Sequence, residues 1–454
     1  PASQSFSTAP WSAWVETSMP SKLRSAFFLS RSTVAWFLAA LLASCGQWQP
    51  PLRTGADVGF TRTRVGASAG ANYRILYSFT RDGASYPDSQ LTYAGGNFYG
   101  TTYQGGAYGG GTVFALDSNG AMRIVHSFQR GAGGFGPSAG VTELNGTLYG
   151  TTIHGGRGRD VHRHSNGVVF SVSPSGSNYT VIHRFLGGQD GAFPSHSPLI
   201  LLNKRLYGAT EGYSESSTEC ASSEDGCGTV FEITPGQKLR TIYSFQGGTD
   251  GYAPMGVVAL HGTLYGTTEF GGDQQCPYQI GCGTIFGIST SGAKRTLENL
   301  NAKSGYWPKA GLTAMDGALY GVTSRGGITG TCIYYVSRGC GTVFAITGKG
   351  KYHVLYRFKG EHDGATPVAA LYALKDTLYG TTEYGPPQNG SPKGEGTVFS
   401  VAPGGREATL HYFGGPPKDG QYPQGALTSV GGVLYGTTYG GGPAQRGTVF
   451  SIAP

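Results

Sequence analysis

The chain has 454 residues and a formal net charge of +7, and only 13% of its residues are charged, whereas about 25% is usual for globular proteins. Glycine accounts for 78 of the 454 residues, more than twice the usual share of about 7%. The positive charge is spread thinly, without a block of Lys and Arg and without basic residues interleaved with aromatics, so we expect no nucleic-acid partner.

The first predicted element is an export signal. A basic segment containing Lys22 and Arg24 follows Met19 and precedes the apolar run of residues 34–42. This run is too short to span a membrane, which takes about 20 apolar residues, but it suits the core of a signal peptide. We therefore expect translation to begin at Met19, so that residues 1–44 comprise upstream residues and a signal peptide.

The end of the apolar run, Leu42-Ala43-Ser44-Cys45, is similar to a bacterial lipobox. This resemblance implies that the mature chain begins at Cys45 and that acyl chains on Cys45 hold it to a membrane. An ordinary cleaved signal, in which Cys45 is incidental, is the alternative. Residues 45–73 are rich in Gly, Ala, Arg and Pro, which predicts a lipidated cysteine followed by a flexible tether to a domain at 74–454.

From residue 74 onward one sequence couplet occurs seven times. Its first half reads Leu-Tyr-Gly-Thr-Thr at Leu378 to Thr382, and its second half reads Gly-Thr-Val-Phe at Gly396 to Phe399. The glycines of the first half lie at positions 100, 150, 208, 266, 321, 380 and 436, in steps of 50, 58, 58, 55, 59 and 56 residues. A period of this size indicates a repeat architecture.

Each repeat is predicted to contain four short β-strands. In the copy from Val354 to Pro403, four runs rich in β-branched and aromatic residues are separated by turn residues, and no run has a helical period. Both faces of these strands are largely uncharged, so both need to be covered. Seven four-stranded blades around an axis cover both faces, which predicts an all-β, seven-bladed β-propeller. A linear solenoid is the rival, but it needs distinct capping repeats, whereas the last copy keeps its pattern to Pro454.

The phase of the repeat predicts how the ring closes. A tight turn follows each Gly-Thr-Val-Phe strand, so the next strand should pair with it as the outer strand of the same blade. The last blade ends at Gly447 to Ile452 without an outer strand, and Arg74 to Phe79 precedes the first blade without belonging to it. We expect Arg74 to Phe79 to complete the last blade and so remove two unpaired sheet edges.

These signals resemble the GloVer tandem-repeat family of exported bacterial proteins, whose repeat carries Leu-Tyr-Gly-Thr-Thr, Gly-Gly, Gly-Thr-Val-Phe and Asp-Gly. The resemblance covers Arg74 to Pro454. The fifth copy departs most, because Leu297 to Leu300 replaces the aromatic outer strand and Ser304-Gly305 replaces Asp-Gly. The resemblance implies export with varied surface anchoring, and it implies no particular ligand or reaction.

Six of the seven cysteines fall into close pairs, each between the two halves of a couplet: Cys220 with Cys227, Cys276 with Cys282, and Cys332 with Cys340. An even number of cysteines, paired within equivalent loops of an exported chain, predicts three local disulfides. In the chain-entropy description each should stabilise the fold by roughly 2–3 kcal/mol. Metal binding is the alternative, but no pair has a third and fourth ligand nearby in sequence.

Candidate binding residues lie in the long connections, which the alternating strand direction places on one loop-rich face. They are the aspartates of the Asp-Gly signals, Asp190, Asp250, Asp363 and Asp419 together with Asp82, and the glutamates that follow a Thr-Thr or Ala-Thr pair, Glu211, Glu269 and Glu383. Their carboxylates suit a cation or a polyhydroxylated glycan, with Tyr213 and Tyr384 as aromatic platforms. The alternative is that each Asp-Gly is a turn whose aspartate bonds its own backbone.

The sequence contains few signs of a catalytic or metal site. His154, Asp160, His162 and His164 crowd the long loop of the second repeat, but no other repeat supplies partners, and a solvated loop is the better interpretation. The hydrolase pattern Gly-x-Ser-x-Gly at 66–70 and at 136–140 does not lie between a strand and a helix. We therefore predict no catalytic residue, no metal and no cofactor.

The predicted function is a class of function. We expect a monomeric, lipid-anchored and extracytoplasmic propeller, attached to the outer membrane or cell surface, that binds a glycan, a peptide or a surface protein. An extracellular enzyme acting on glycans or lactones from the loop-rich face is one alternative, and a purely structural surface scaffold is another. Fold alone does not decide among these three.

Overall fold

The computed structural model describes residues 72–454 except 82, 157–164, 213–219, 221–222, 235, 273–275, 277–279, 328–331, 333–338, 348, 361 and 388–392. Within these residues the chain forms β-strands and short 3-10 turns, among them Gly188–Asp190 and Gly248–Asp250, and it contains no α-helix. This part of the chain accordingly holds no helix with the length and hydropathy needed to cross a membrane. The predicted signal peptide and Cys45 lie outside the described residues.

The strands are short, as the spacing of turn residues requires. In chain order they are β1 (Asn72–Ser78), β2 (Ala84–Ser85), β3 (Thr92–Ala94), β4 (Asn97–Thr102), β5 (Gln104–Gly105), β6 (Thr112–Asp117), β7 (Met122–Ser127), β8 (Thr142–Leu144), β9 (Thr147–Thr152), β10 (Val168–Val172), β11 (Thr180–Arg184), β12 (Ile200–Leu202), β13 (Arg205–Thr210), β14 (Thr229–Ile233), β15 (Leu239–Ser244), β16 (Tyr252–Leu260), β17 (Thr263–Phe270), β18 (Thr284–Ser289), β19 (Lys294–Asn299), β20 (Thr313–Met315), β21 (Ala318–Thr323), β22 (Thr342–Thr347), β23 (Tyr352–Arg357), β24 (Tyr372–Leu374), β25 (Thr377–Thr382), β26 (Thr397–Val401), β27 (Glu407–Tyr412), β28 (Gly420–Gln421), β29 (Thr428–Val430), β30 (Val433–Thr438), β31 (Gly440–Gly441) and β32 (Thr448–Ala453).

These strands form seven four-stranded antiparallel sheets, which we call blades 1 to 7. From the inner to the outer strand the blades are β3-β4-β6-β7, β8-β9-β10-β11, β12-β13-β14-β15, β16-β17-β18-β19, β20-β21-β22-β23, β24-β25-β26-β27 and β29-β30-β32-β1. The first strands of neighbouring blades contact one another, as β3 does with β8 and β29, and β20 does with β16 and β24. The first strands therefore surround a central axis, and the prediction of a seven-bladed β-propeller is confirmed. Two ribbons, β2 with β5 and β28 with β31, extend the loop region.

The ring closes through the strand that the phase of the repeat predicts. The first strand β1 pairs antiparallel with the last strand β32, with Tyr73 opposite Ile452 and Ile75 opposite Phe450. Blade 7 thus takes three strands from the end of the domain and its outer strand from the beginning. The backbone ladder between these strands replaces two unpaired edges, which would otherwise be open to pairing with other chains.

The repeated couplet is explained by contacts inside each blade. The hydroxyl oxygens of Thr382 and Thr397 lie 2.7 Å apart, and five other blades have the same pair between their second and third strands. In blade 2 Val168 takes the place of the second threonine. A Cβ added at Gly380 would lie 2.6 Å from the ring of Phe399, so the glycine is needed where the aromatic ring crosses the neighbouring strand.

Neighbouring blades pack through pairs of aromatic rings. Phe358, which immediately follows the outer strand of blade 5, packs against Phe399 of blade 6 with ring centroids 5.0 Å apart and an interplanar angle of 72°. Five other junctions have a Phe–Phe pair at 5.1–5.4 Å. At the junction of blades 4 and 5, where the fifth copy departs from the pattern, Leu300 is buried in the same cluster as Phe344. Burial of these rings from both sides supplies the apolar core of the ring.

The three predicted disulfides are confirmed. Cys220 bonds Cys227, Cys276 bonds Cys282 and Cys332 bonds Cys340, with Cα–Cα distances of 4.9, 5.3 and 5.2 Å. All six cysteines are buried, and the pairs lie between the second and third strands of blades 3, 4 and 5. Disulfides of this kind persist in oxidising compartments, which indicates an extracytoplasmic protein.

Candidate functional site

The predicted aspartates lie at the outer rim of the loop-rich face and bind their own loops. Asp190 accepts hydrogen bonds from the backbone N–H of Leu186, at 2.8 Å, and from the ring of His183, at 3.0 Å. Asp250, Asp363 and Asp419 make corresponding bonds to the backbone and to a side chain of the outer strand. These are the contacts that the turn interpretation expects. A binding role for the four aspartates stays a prediction, and Asp82 lies outside the described residues.

The predicted glutamates occupy a different place. Glu211 and Glu383 immediately follow the second strands of blades 3 and 6, and Glu269 lies at the same position inside the long strand β17 of blade 4. Each second strand adjoins the inner strand, so these positions lie near the axis. Glu269 and Glu383 are only 5% and 7% exposed. Buried acids need partners, and the partners show what kind of site the glutamates form.

Glu211 forms an ion pair with a histidine from the loop that enters the same blade. The Nδ1 atom of His196 lies 2.9 Å from the Oε1 atom of Glu211. Burial on its own lowers the pKa of His196, but the negative charge and hydrogen bond of Glu211, together with the charge of Asp88, raise the pKa overall. The imidazole is therefore held towards its protonated form and donates its Nδ1 proton to Glu211.

Glu269 is paired with a lysine from the loop that enters blade 5. The Nζ atom of Lys309 lies 3.2 Å from the Oε1 atom of Glu269. Burial raises the pKa of Glu269, the charge of Lys309 opposes this effect, and the like charge of Glu211 adds to it. Two carboxylates and two cations of blades 3 to 5 thus act on one another over short distances.

Glu383 faces polar groups of blades 5 and 7. Burial raises the pKa of Glu383, whereas the charges of Arg325 and Lys309 lower it. The side-chain amide of Gln424, from the loop that enters blade 7, donates to the Oε1 atom of Glu383 at 3.4 Å. Arg325 is itself held by a 2.6 Å hydrogen bond from its Nη1 atom to the hydroxyl of Thr366.

Asp88 completes the group from the loop that enters blade 1. Burial raises the pKa of Asp88 to about 7, against the smaller lowering effects of His196 and of a hydrogen bond from its own backbone N–H. Its Oδ1 atom is buried and has no hydrogen-bond partner within the described part of the chain. In turn the charge of Asp88 adds to the burial that raises the pKa values of Tyr103 and Tyr439.

These side chains converge on the axis from many blades. Asp88, in the loop before blade 1, interacts electrostatically with His196, in the loop before blade 3. His196 in turn interacts electrostatically with Lys309, in the loop before blade 5. Side chains of non-adjacent blades in a ring approach one another only near its centre. The eight residues of this group, which we call the axial site, are Asp88, His196, Glu211, Glu269, Lys309, Arg325, Glu383 and Gln424. Seven of them lie in loops of the same face and Glu269 lies near the end of β17 at that face, so the axial site lies at the loop-rich end of the central channel.

The axial site combines charges of both signs and offers no ready metal centre. Among the residues that the structure describes, no group of three or more His, Cys, Asp and Glu side chains is arranged to hold a metal ion. Glu211 and Glu269 are paired with an imidazolium and an ammonium group, and the charge of Arg325 acts on Glu383, which suits a polar organic ligand better than a bare cation. Asp160, His162 and His164, and the platform residue Tyr213, lie outside the described residues.

A second recess lies at the rim between blades 1 and 2. It has a volume of about 300 Å³ and is lined by Tyr108, His126, Arg130 and Tyr179, among others. The rings of His126 and Tyr179 are stacked 3.9 Å apart, and the Oη atom of Tyr179 donates to the carbonyl of Gly133. Stacked rings of this kind close the space between adjacent outer strands, so we assign the recess to blade packing.

Comparison with protein families identifies the repeat. The sequence model of the Gloeobacter/Verrucomicrobia repeat family matches residues 63–221, 164–389 and 216–450. The chain belongs to this family. The assignment confirms the resemblance that the couplet indicates. No curated protein matches the chain.

Solved structures resemble this member of the Gloeobacter/Verrucomicrobia repeat family in fold alone. An oligogalacturonate lyase in complex with manganese is 11% identical with a TM-score of 0.51, and the match covers 85% of this chain and 94% of that one. A puromycin-hydrolyzing peptidase of Mycobacterium tuberculosis is 13% identical with a TM-score of 0.48, over 82% and 55% of the two chains. A luciferin-regenerating enzyme is 13% identical with a TM-score of 0.40, over 68% and 88%.

Sequence reasoning finds three of the eight residues of the axial site and misses five. Asp88, Lys309 and Gln424 each follow a proline that precedes a first strand, Pro87, Pro308 and Pro423. This proline recurs in every copy of the Gloeobacter/Verrucomicrobia repeat in this chain, and the residue after it is serine in two copies and a different residue in each of the other five. The variation after a fixed proline is the signal that would have pointed to these residues. His196 and Arg325 have no such signal.

Proposed function

We propose that this protein is an extracytoplasmic binding module that holds a polyhydroxylated ligand, a segment of glycan, in the axial site. The observation that carries the proposal is the convergence of ionisable side chains from several blades at the loop-rich end of the channel, with Asp88 and His196 coupled across blade 2. Loops on a rigid scaffold are where binding residues are usually found. The propeller holds these loops in fixed positions through its closed ring of blades.

The chemistry of the axial site favours a ligand with many hydroxyl groups. A hydroxyl both donates and accepts hydrogen bonds, so it can use carboxylates and cations together. Glu211, Glu269 and Glu383 supply acceptors, and Lys309 and Arg325 supply donors. Trp307 and Tyr384, which lie close to Lys309 and Glu383 in sequence, are only 7% and 3% exposed and belong to the apolar core, so the polar side chains supply the contacts of this proposal.

We further propose that Cys45 carries a lipid. A lipid at this position would attach the protein to a membrane, so that the ligand binds at a cell surface. The support is the similarity of Leu42-Ala43-Ser44-Cys45 to a lipobox, together with the disulfides of an extracytoplasmic protein. Metabolic labelling with a radioactive fatty acid should mark the wild-type chain and leave Cys45→Ala unlabelled. Equal labelling of both chains would refute the anchor without bearing on the axial site.

Glycan binding is tested by a panel of oligosaccharides and isothermal titration calorimetry on the full chain. The variant Glu269→Gln keeps the shape of the side chain but removes its charge, and we expect it to weaken binding by roughly tenfold, as is usual for a lost charged hydrogen bond. Glu143→Gln is the matched control, because Glu143 lies in the turn region of β8 on the opposite face, where it accepts a bond from Gly146. No binding by any oligosaccharide, or an equal loss in both variants, refutes the proposal. Recovery of unchanged ligand by NMR separates binding from turnover.

A further inference from the structure

Asp88 differs from the other acids of the axial site in lacking a counterpart. Glu211 is paired with His196 and Glu269 with Lys309, and Glu383 accepts a hydrogen bond from the side-chain amide of Gln424. The Oδ1 atom of Asp88, by contrast, is buried without a hydrogen-bond partner in the described residues. Buried polar atoms are nearly always paired, so an exception at a site calls for an explanation. A ligand group that donates to Oδ1 would supply the missing partner.

Tyrosines surround this carboxyl. Tyr103 and Tyr439 follow the second strands of blades 1 and 7, and the charge of Asp88 acts on both. The ring of Tyr86 is stacked on that of Tyr439, with centroids 4.8 Å apart. The guanidinium of Arg446 lies over the Tyr86 ring, 4.9 Å from its centroid, as cations do on aromatic faces. The corner of the axial site between blades 7 and 1 therefore combines the unpaired Oδ1 atom of Asp88 with tyrosine side chains and one arginine.

We propose that this corner receives a protonated amine, so that the axial site prefers amino sugars to neutral sugars. The inference rests on the proposed glycan binding and adds its selectivity. An ammonium group carries three donors and a positive charge, whereas a hydroxyl satisfies the hydrogen bond but leaves the negative charge of Asp88 to be compensated by His196 alone.

The preference should depend on pH. Burial raises the pKa of Asp88 to about 7 in the unoccupied site. The titratable groups that act on it are His196, whose charge favours the ionised carboxyl, and Tyr103 and Tyr439, which stay neutral because burial raises their pKa values. Arg130 and Arg446 lie beside these two tyrosines and keep their charge over the pH range of the experiment. An ammonium ion needs the ionised form of Asp88. Affinity for the amine should therefore fall as the pH is lowered through the pKa of Asp88.

The experiment compares the trisaccharides of glucosamine, N-acetylglucosamine and glucose, which share one skeleton. They differ at one position of each sugar unit, which carries an amine, an amide or a hydroxyl respectively. Titration calorimetry on the full chain near neutral pH should show the glucosamine trisaccharide binding at least tenfold more tightly than the glucose trisaccharide. Asp88→Asn should reduce this ratio to about one. Asp376→Asn is the matched control, since Asp376 is exposed in the turn between β24 and β25 on the opposite face, and it should leave the ratio unchanged.

The possible outcomes separate the two proposals. If no trisaccharide binds, the amine preference fails, and the panel of oligosaccharides decides glycan binding itself. If the three bind equally to the wild type, or if Asp88→Asn weakens all three and keeps their ratio, the amine preference fails while glycan binding stands. Triglycine, which has an amine but no sugar, should not bind, and binding as tight as that of the glucosamine trisaccharide would overturn the assignment to a saccharide. If Asp88→Asn does not fold, the wild-type ratio measured from about pH 7 down to about pH 5 decides, because the inference requires it to fall.

Discussion

Ionisation of Asp88 should destabilise the folded protein as the pH rises. Burial raises its pKa in the folded state from the ordinary 3.8 to about 7. Below about pH 3.8 the carboxyl is protonated in both the folded and the unfolded chain, and it contributes no pH dependence. Between these values the unfolded chain gives up a proton that the folded chain keeps, so the free energy of unfolding decreases. Above about pH 7 both states are ionised and the loss is complete.

The size of the effect follows from the shift of the pKa. A change from 3.8 to about 7 is about three units, and each unit corresponds to about 1.36 kcal/mol. The folded protein should therefore lose up to about 4 kcal/mol at high pH because of this one carboxyl, which is a large part of the stability of a typical domain. Asp88→Asn has nearly the same shape and does not ionise. Its free energy of unfolding should exceed that of the wild type by an amount that grows with pH.

Urea unfolding at about pH 4, 5.5, 7 and 8 measures this difference. We expect the gap between Asp88→Asn and the wild type to be small at the lowest pH and to widen by up to about 4 kcal/mol at the highest. The exposed control Asp376→Asn should run parallel to the wild type over the whole range. A gap that does not change with pH, or that is widest in acid, would show that Asp88 is not a buried acid with a raised pKa.

Three further perturbations test the packing of the ring. Gly380→Ala places a Cβ 2.6 Å from the ring of Phe399, and urea unfolding should show a loss of about 1–3 kcal/mol. Replacing both Cys276 and Cys282 by serine opens a loop with a sequence separation of 6; the loss should be about 2 kcal/mol, seen as a lower melting temperature, and an unchanged one would contradict it. Deleting β1 exposes the edge of β32, so the protein should aggregate on size-exclusion chromatography, whereas an intact monomer would argue against closure by this strand.

The fold could be predicted because the repeated residues are the ones that build it. The threonine pair Thr382 and Thr397, and Gly380 beneath Phe399, make contacts inside one blade, so their spacing in sequence carries the information. Closure by β1 also followed from local facts, namely the tight turn after each third strand and one strand left over. The replacement of the aromatic ring by Leu300 shows that the junction tolerates another apolar side chain in the same place.

The axial site could be predicted only in part because its contacts are not local. Glu211, Glu269 and Glu383 share a position in the repeat, and the strand pattern places that position on the loop-rich face. Their partners His196 and Lys309 come from the loops that enter blades, and which loop meets which acid is set by the geometry of the whole ring. The aspartates are equally regular in sequence and lie on the same face, but at its rim, and the strand pattern alone does not distinguish the rim from the axis.

The division between repeated and varied positions also says where ligand selectivity resides. Residues of the couplet make the threonine pairs, the glycine contacts and the buried ring contacts inside the blades. Because they recur around the axis, they cannot distinguish one side of a ligand from another. The position after the fixed proline is Asp88, Ser138, Ser195, Met255, Lys309, Val368 and Gln424 in successive blades. An acid in one blade and a cation four blades further on make the channel end asymmetric, and an asymmetric site fixes the orientation of its ligand. These side chains lie in loops whose positions are fixed by the blades. Substituting the residues after the fixed proline should therefore alter which ligand binds while the propeller stays folded.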